Sequence, residues 1–315
     1  MGEIGGRAVS ISQQGEQLFC EGAHPSHIRR FFSLGSDLKA IAAEIDQDEV
    51  IHRALDRYRG LRVIRQEPWE CLASFILSSF NNIPRLTGMI ERLCLHFGDP
   101  RRGTTARSAG FADTLSGPQR GPALALALTP GSNPKENEDR ATFALRDGLL
   151  TPQTSGRSRG VETYKFPRAE ALARVSEKTL RNCGLGFRAP YLKAAARMVS
   201  SGQAPLEEWE RLDDEALRRS LRAIPGVGEK VVECVMLFAY GRASAFPVDV
   251  WIGRAMRRWY FRGAQANDRT IRDFAREHFG AYCGWAQQYL YCLARDDAES
   301  LRTSLEETVP SPRIS

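Results

Sequence analysis

The chain has 315 residues, 42% of them hydrophobic, enough to bury a sizeable core in two or three compact units. The 44 Lys and Arg outnumber the 38 Asp and Glu, so the net charge is +6 and the pI near 9.0, a balance that suits a polyanionic partner. No apolar run approaches membrane-spanning length, no charged-then-apolar leader opens the chain, and the 7 cysteines are odd in number and scattered. Membrane and disulfide-scaffold classes are therefore excluded, and an intracellular site, in cytoplasm, nucleoid or nucleus, is expected.

Near the start, Ala8-Val9-Ser10-Ile11-Ser12 alternates, Gln14-Gly15 turns and Gln17-Leu18-Phe19-Cys20 returns, which predicts a β-hairpin. Residues 37–45 and 49–58 predict short amphipathic helices. Glu67-Pro68-Trp69 opens another helix, with proline at an allowed early position and Cys71, Leu72, Phe75 and Ile76 as its apolar stripe. Ser79-Phe80-Asn81-Asn82 breaks it, and residues 83–96 form the next helix. Residues 99–162 lose all periodicity; Gly, Ser, Thr, Pro and Arg dominate, which predicts a disordered insertion. Order is expected again from Phe166, with short helices at 169–174 and 176–181, the second capped by Ser176. Cys183-Gly184-Leu185-Gly186-Phe187-Arg188 is a glycine-bounded turn into a helix through Met198. Helical pieces follow at 206–212, 214–222, 251–261, 270–279 and 282–295, then a polar tail that should fray.

The stretch 221–251, LRAIPGVGEKVVECVMLFAYGRASAFPVDVW, organises the rest. Pro225 stops one helix, Gly226 and Gly228 supply the positive φ angles of a sharp reversal, and Val231 to Phe238 begin a second helix that Gly241 ends. Unobstructed N–H groups around Val227, at a helix N-terminus, favour an anion, and a nucleic-acid phosphate fits a basic chain. Lys230 lies in the first turn, where the helix dipole disfavours an ammonium and so favours the nucleophilic amine. Asp249 follows nineteen residues on and suits the N-cap of the next helix. A poised lysine and a capping carboxylate form a constellation for Schiff-base chemistry on a sugar. The same residues, taken alone, also fit a plain helix–helix turn, a solvated lysine and an ordinary cap.

IPGVGEK followed by FPVDV resembles the helix-hairpin-helix and Gly/Pro…Asp signature of a DNA glycosylase superfamily. Lys230 with Cys234 four residues on is similar to the 8-oxoguanine DNA glycosylase/AP lyase branch, and Gln66–Gly88, Cys183–Tyr191 and Phe279–Tyr291 agree with it. The resemblance implies a mainly α (α+β) fold: two helical subdomains flanking a DNA-binding cleft with a helix-hairpin-helix motif, plus a small antiparallel N-terminal β/α domain. That domain, residues 1–65, looks truncated. The core would be 66–98 and 163–295, the insertion 99–162 and the frayed tail 296–315.

The implied activity is a bifunctional base-excision glycosylase/AP lyase that removes 8-oxoguanine from duplex DNA through a Lys230 Schiff base and β-elimination, with Asp249 orienting the lysine and stabilising sugar charge. The implied base pocket is Cys234, Gln287 and Tyr291. The implied DNA contacts are Phe80, Asn81, Asn82, Arg85, Phe187, Arg188, Gly226, Val227, Gly228 and Trp251. Phe80 stands where the family has asparagine, Phe187 where it usually has tyrosine, Tyr291 where it usually has phenylalanine, and Trp251 where some members have histidine. The partner would be duplex DNA with an oxidised purine, bound by a monomer. No cofactor is expected: endonuclease III-like relatives hold an iron–sulfur cluster on four closely spaced cysteines, and only Cys283 and Cys292 occur near this C-terminus. The histidines form no metal spacing, although the hairpin offers a possible structural monovalent cation site. Two other readings remain: a glycosylase for a different damaged base, and a non-catalytic or decayed helix-hairpin-helix DNA-binding protein.

Overall fold

The computed structural model describes residues 2–4, 7–14, 17–100, 142–146, 149–153 and 164–297. It is mainly helical, with a small antiparallel sheet at the N-terminal end. Strands β1 (Gly2–Ile4), β2 (Arg7–Gln14) and β3 (Gln17–Glu21) lead into helices α1 (Pro25–Phe31), α2 (Leu38–Ile45), α3 (Glu49–Arg57), α4 (Pro68–Ser78) and α5 (Ile83–Phe97). Strands β4 (Thr142–Arg146) and β5 (Leu149–Gln153) come next. Helices α6 (Ala169–Arg174), α7 (Glu177–Leu180), α8 (Ala189–Ser200), α9 (Asp214–Arg222), α10 (Glu229–Phe238), α11 (Val250–Trp259), α12 (Asp268–Phe279) and α13 (Cys283–Asp296) complete the chain. No described helix is long and apolar enough to cross a membrane.

By compactness the chain divides into two units, the first being Met1–Ser36, Val63–Arg120 and Ala141–Arg242. Here the expected hairpin forms: β2 pairs with β3 from Ser10↔Glu21 to Gln14↔Gln17. A third strand, β1, pairs along the other edge of β2, from Gly2↔Val9 to Ile4↔Arg7. Three residues are too few to show alternation, which is why the sequence did not announce it. Helix α4 starts on a Glu67 cap, whose carboxylate accepts from the Glu70 N–H at 2.8 Å, with Pro68 in the first turn. Its residues Trp69, Cys71, Leu72, Ala73, Ser74, Ile76 and Leu77 are all buried, so it is covered on nearly every side, by α5, α8 and α10. Helix α10 is similarly buried from Val231 to Phe238 and packs on α4 and α9.

Where the expected insertion begins, the chain ends approach one another. The Lys165 N–H donates to the Asp99 carbonyl at 3.0 Å, and Pro100 bridges to Tyr164. A Cβ on Gly98 would fall 2.0 Å from the Lys165 carbonyl oxygen, so only glycine permits this approach. Within the segment, β4 and β5 pair antiparallel from Thr142↔Gln153 to Arg146↔Leu149. The rest of 101–163, expected to be disordered, lies outside the described residues, as do 298–315 of the expected tail.

The second unit is Asp37–Arg62, Gly121–Arg140 and Ala243–Ser315. Asp37 and Asp48 cap α2 and α3 through pairs of backbone N–H groups. Helix α13 is buried from Cys283 to Ala294 and packs against α2, α3, α11 and α12. The Asp48 carboxylate also accepts from the Tyr260 hydroxyl at 3.2 Å and lies 2.7 Å from His278 Nε2, tying the start of α3 to α11 and α12.

Candidate active site

Within the first unit, α9 ends at Arg222 and the chain reverses through Pro225 and Gly226. Gly226 takes φ +81°, and a Cβ there would meet the Tyr191 side chain at 2.6 Å, so its glycine is required twice over. Gly228 does not take the positive φ that the sequence suggested. It is the N-cap of α10 at φ −86°, ψ 175°, the extended geometry that cap residues adopt. A Cβ at Gly228 would meet nothing within 4 Å, and no side chain caps the helix. The first amides of α10 therefore have no side-chain acceptor from the cap position. Between the two glycines, Val227 is buried and its N–H donates to the Ile224 carbonyl at 3.1 Å.

Lys230 is half-buried in the first turn of α10. Its Nζ donates to Ser78 Oγ at 3.2 Å and lies 5.6 Å from the centre of the Phe75 ring. Ser78 gives its one hydroxyl proton to the Phe75 carbonyl at 2.8 Å, which leaves only lone pairs to face the lysine. Phe75 in turn stacks on Phe238, ring centres 5.7 Å apart. The amine is thus held by α4 against an aromatic wall. Cys234, one turn further along α10, is buried. Burial, with smaller help from Cys234, pushes the neighbouring Cys71 thiol well up, so that side chain is an inert part of the core.

The break after α4 lies in the same unit. Phe80 has φ +49°, rare for a non-glycine residue, and its side chain is 94% exposed, so it is no core aromatic. Phe187 is 50% exposed, its ring edge-to-face with Phe80 at 6.4 Å. Arg188 is 2% exposed beneath them. Its Nε and Nη2 donate to the Ser79 carbonyl and Nη2 also to the Phe80 carbonyl at 2.8 Å, while its guanidinium lies 4.3 Å from the Phe187 ring centre. Asn81 donates to the Leu77 carbonyl at 3.1 Å, and Asn82 caps α5 by accepting from the Arg85 N–H at 3.0 Å. Arg85 itself is exposed.

In the second unit, buried Phe246, Pro247 and Val248 anchor the segment that presents Asp249. Asp249 is the N-cap of α11, accepting from the Ile252 N–H at 2.8 Å, as its spacing suggested. Gln287 is buried on α13; its Nε2 donates to the Pro247 carbonyl at 3.1 Å and its Oε1 accepts from Gln288. Tyr291, one turn on, is buried; burial first, then the Asp249 charge, push its hydroxyl pKa up, against the pull of Arg295. Arg295 also lies 4.9 Å from the centre of the Trp251 ring, and Arg254 lies 5.9 Å from it. Trp251 therefore carries two guanidinium neighbours where a histidine would carry its own charge. Among the described residues no group of three His, Cys, Asp or Glu side chains is placed to hold a metal ion.

A family model for the 8-oxoguanine DNA glycosylase N-terminal domain matches residues 4–72, and one for the HhH-GPD superfamily of base excision DNA repair proteins matches residues 155–279. A probable N-glycosylase/DNA lyase of Methanothermobacter thermautotrophicus is 29% identical over 85% of this chain and 74% of its own. The N-glycosylase/DNA lyase OGG1 of Arabidopsis thaliana is 25% identical over 80% of this chain and 56% of its own. The chain belongs to the 8-oxoguanine DNA glycosylase branch of the HhH-GPD superfamily. Among solved structures, the Clostridium acetobutylicum 8-oxoguanine glycosylase/lyase in complex with DNA containing cytosine opposite 8-oxoguanine matches with TM-score 0.70 and 28% identity, over 92% of this chain and 82% of that one.

Two side chains beside the expected residues of this HhH-GPD chain were not singled out by the sequence reading. Ser78 is one of two consecutive serines ending an apolar helix, and nothing in that context marks it as the lysine's partner. Arg295 is one arginine among many, and only the turn of α13 places it at both Tyr291 and Trp251. Its spacing of four from Tyr291 is the signal that could have found it.

Proposed function

We propose that this chain is a bifunctional DNA glycosylase/AP lyase that removes 8-oxoguanine from duplex DNA. The observation that carries the reading is Lys230: an amine in the first turn of an uncapped helix, its Nζ held by a serine acceptor in a half-buried place. A base inside a duplex is out of reach of such a group, so the damaged nucleotide must leave the stack. The Nζ lone pair then forms a bond to C1′ as the glycosidic bond breaks, and the base departs with the bonding electrons. Loss of a proton from nitrogen and opening of the sugar give an imine. The imine acidifies C2′; removal of that proton expels the 3′ phosphate and cuts the strand. Asp249 supplies a negative charge that stabilises the cationic sugar. The uncovered amides of α10 suit a backbone phosphate, and Cys234, Gln287 and Tyr291 are the proposed base contacts.

The relatives' names and the two family matches support glycosylase/lyase chemistry over a purely DNA-binding role. Incubation of the full chain with a duplex carrying one 8-oxoguanine tests this. Base release and strand cleavage are expected from the native chain, and neither from Lys230→Gln, which should still bind the duplex. Base release by Lys230→Gln at the native rate would assign the first step to water and remove the lysine from it.

A further inference from the structure

We propose that Arg218 and Glu233 are positioning residues for Lys230: their ion pair fixes the roll and register of α10 on α9, and with them the place of the amine. The inference rests on the glycosylase/lyase reading above for what the amine does, and on the geometry of the two helices for the rest. Two ion pairs cross the helical hairpin. Arg222 pairs with Glu229 beside the turn, and Arg218 Nη1 donates to Glu233 Oε1 at 2.5 Å one turn further along both helices. Each helix spaces its two charges by four residues, 218 and 222 on α9, 229 and 233 on α10, so the pairs form two rungs of a ladder on facing sides. A shift of α10 by one residue turns its side chains by about 100° and breaks both rungs.

The rungs are not equal. Arg222 and Glu229 reach solvent, and a pair in water fixes little. Glu233 is 0% exposed, with Arg218 at 18%. Taking two charges out of water has a cost that apolar side chains of similar volume avoid, so the pair is a poor device for stability alone. What it adds is direction. A buried carboxylate has to meet its guanidinium, whereas Val231, Val232, Val235, Leu237 and Phe238 around it attract without orientation. The same guanidinium lies 3.4 Å from Met236 Sγ, so Arg218 touches α10 at two points. Lys230 sits three residues before Glu233 on this helix. Its hydrogen bond to Ser78 is one contact at the end of a long flexible stem, too little to hold a helix in place.

Borohydride trapping of the full chain on a duplex with one abasic site reads the placement of the amine. The Kd for a duplex with a tetrahydrofuran analogue, which has no aldehyde, reads binding alone. Arg218→Met/Glu233→Met removes both charges together and leaves none buried, so its melting temperature should equal or exceed the native one. Its trapping rate should nonetheless fall about 10- to 100-fold, with Kd within about fivefold of native. Arg218→Lys keeps a cation facing Glu233 and should trap within about fivefold of the native rate. Trapping at the native rate by the double variant overturns the proposal. So does a loss of trapping matched by an equal loss of duplex affinity, or trapping by Arg218→Lys as slow as that of the double variant. Unfolding of the double variant at the assay temperature overturns it too, because the pair would then hold the fold and not aim the amine. Failure of the glycosylase/lyase reading looks different: the native chain itself gives no adduct.

Discussion

At Asp249 one carboxylate caps α11 and carries the charge proposed to act on the sugar. The two roles separate by substitution. Asparagine keeps an oxygen for the Ile252 N–H, so Asp249→Asn should hold the melting temperature while slowing single-turnover excision on the order of a hundredfold. Asp249→Ala should lose both, with about 1 kcal/mol of stability going with the cap. If Asp249→Asn excises at the native rate, the carboxylate is a cap and nothing more. Lys230 was legible in the sequence because it follows a glycine hairpin; its partner Ser78 was not, because the pairing spans 152 positions and depends on how α4 crosses α10. Gly228 was misread for a related reason: a glycine in a tight reversal invites a positive φ, but this one sits at the N-cap, where extended geometry applies to any residue.

The helix-hairpin-helix element gives that distinction consequences. Gly226→Ala puts a methyl group into Tyr191 at a left-handed position, and should cost at least about 2 kcal/mol in urea unfolding. Gly228→Ala meets no neighbour and no φ penalty, so stability should change by less than about 1 kcal/mol. Its methyl group would point into open space beside the uncapped start of α10, so duplex affinity should drop only if a DNA phosphate packs against that position. Equal affinity for the native chain and Gly228→Ala would show that no phosphate approaches there. Elements with a strong period and a side-chain cap, such as α2 with Asp37, α3 with Asp48 and α9 with Asp213, were readable in advance. Helix α1 was not: Pro25–Phe31 is seven residues with two buried positions, too short for a period to show. The chain from Arg181 to Gly186 bends through Gly184 and Gly186, both at positive φ; its glycines marked a turn but not its course.

For the whole molecule, the closure of Asp99 on Lys165 predicts that the chain between Pro100 and β4 adds little to the fold. A chain with 103–140 replaced by a short Gly-Ser linker, with β4 and β5 kept, should melt within about 5 °C of the parent, since each halving of a loop changes closure free energy by only about 0.6 kcal/mol. A large fall in melting temperature would show that the segment carries part of the core. The most direct measurement of the central claim is borohydride reduction during turnover of an 8-oxoguanine duplex, followed by peptide mapping of the protein–DNA adduct. One covalent adduct on the peptide containing Lys230 is the predicted result; no adduct during active base release, or an adduct on another lysine, would contradict it.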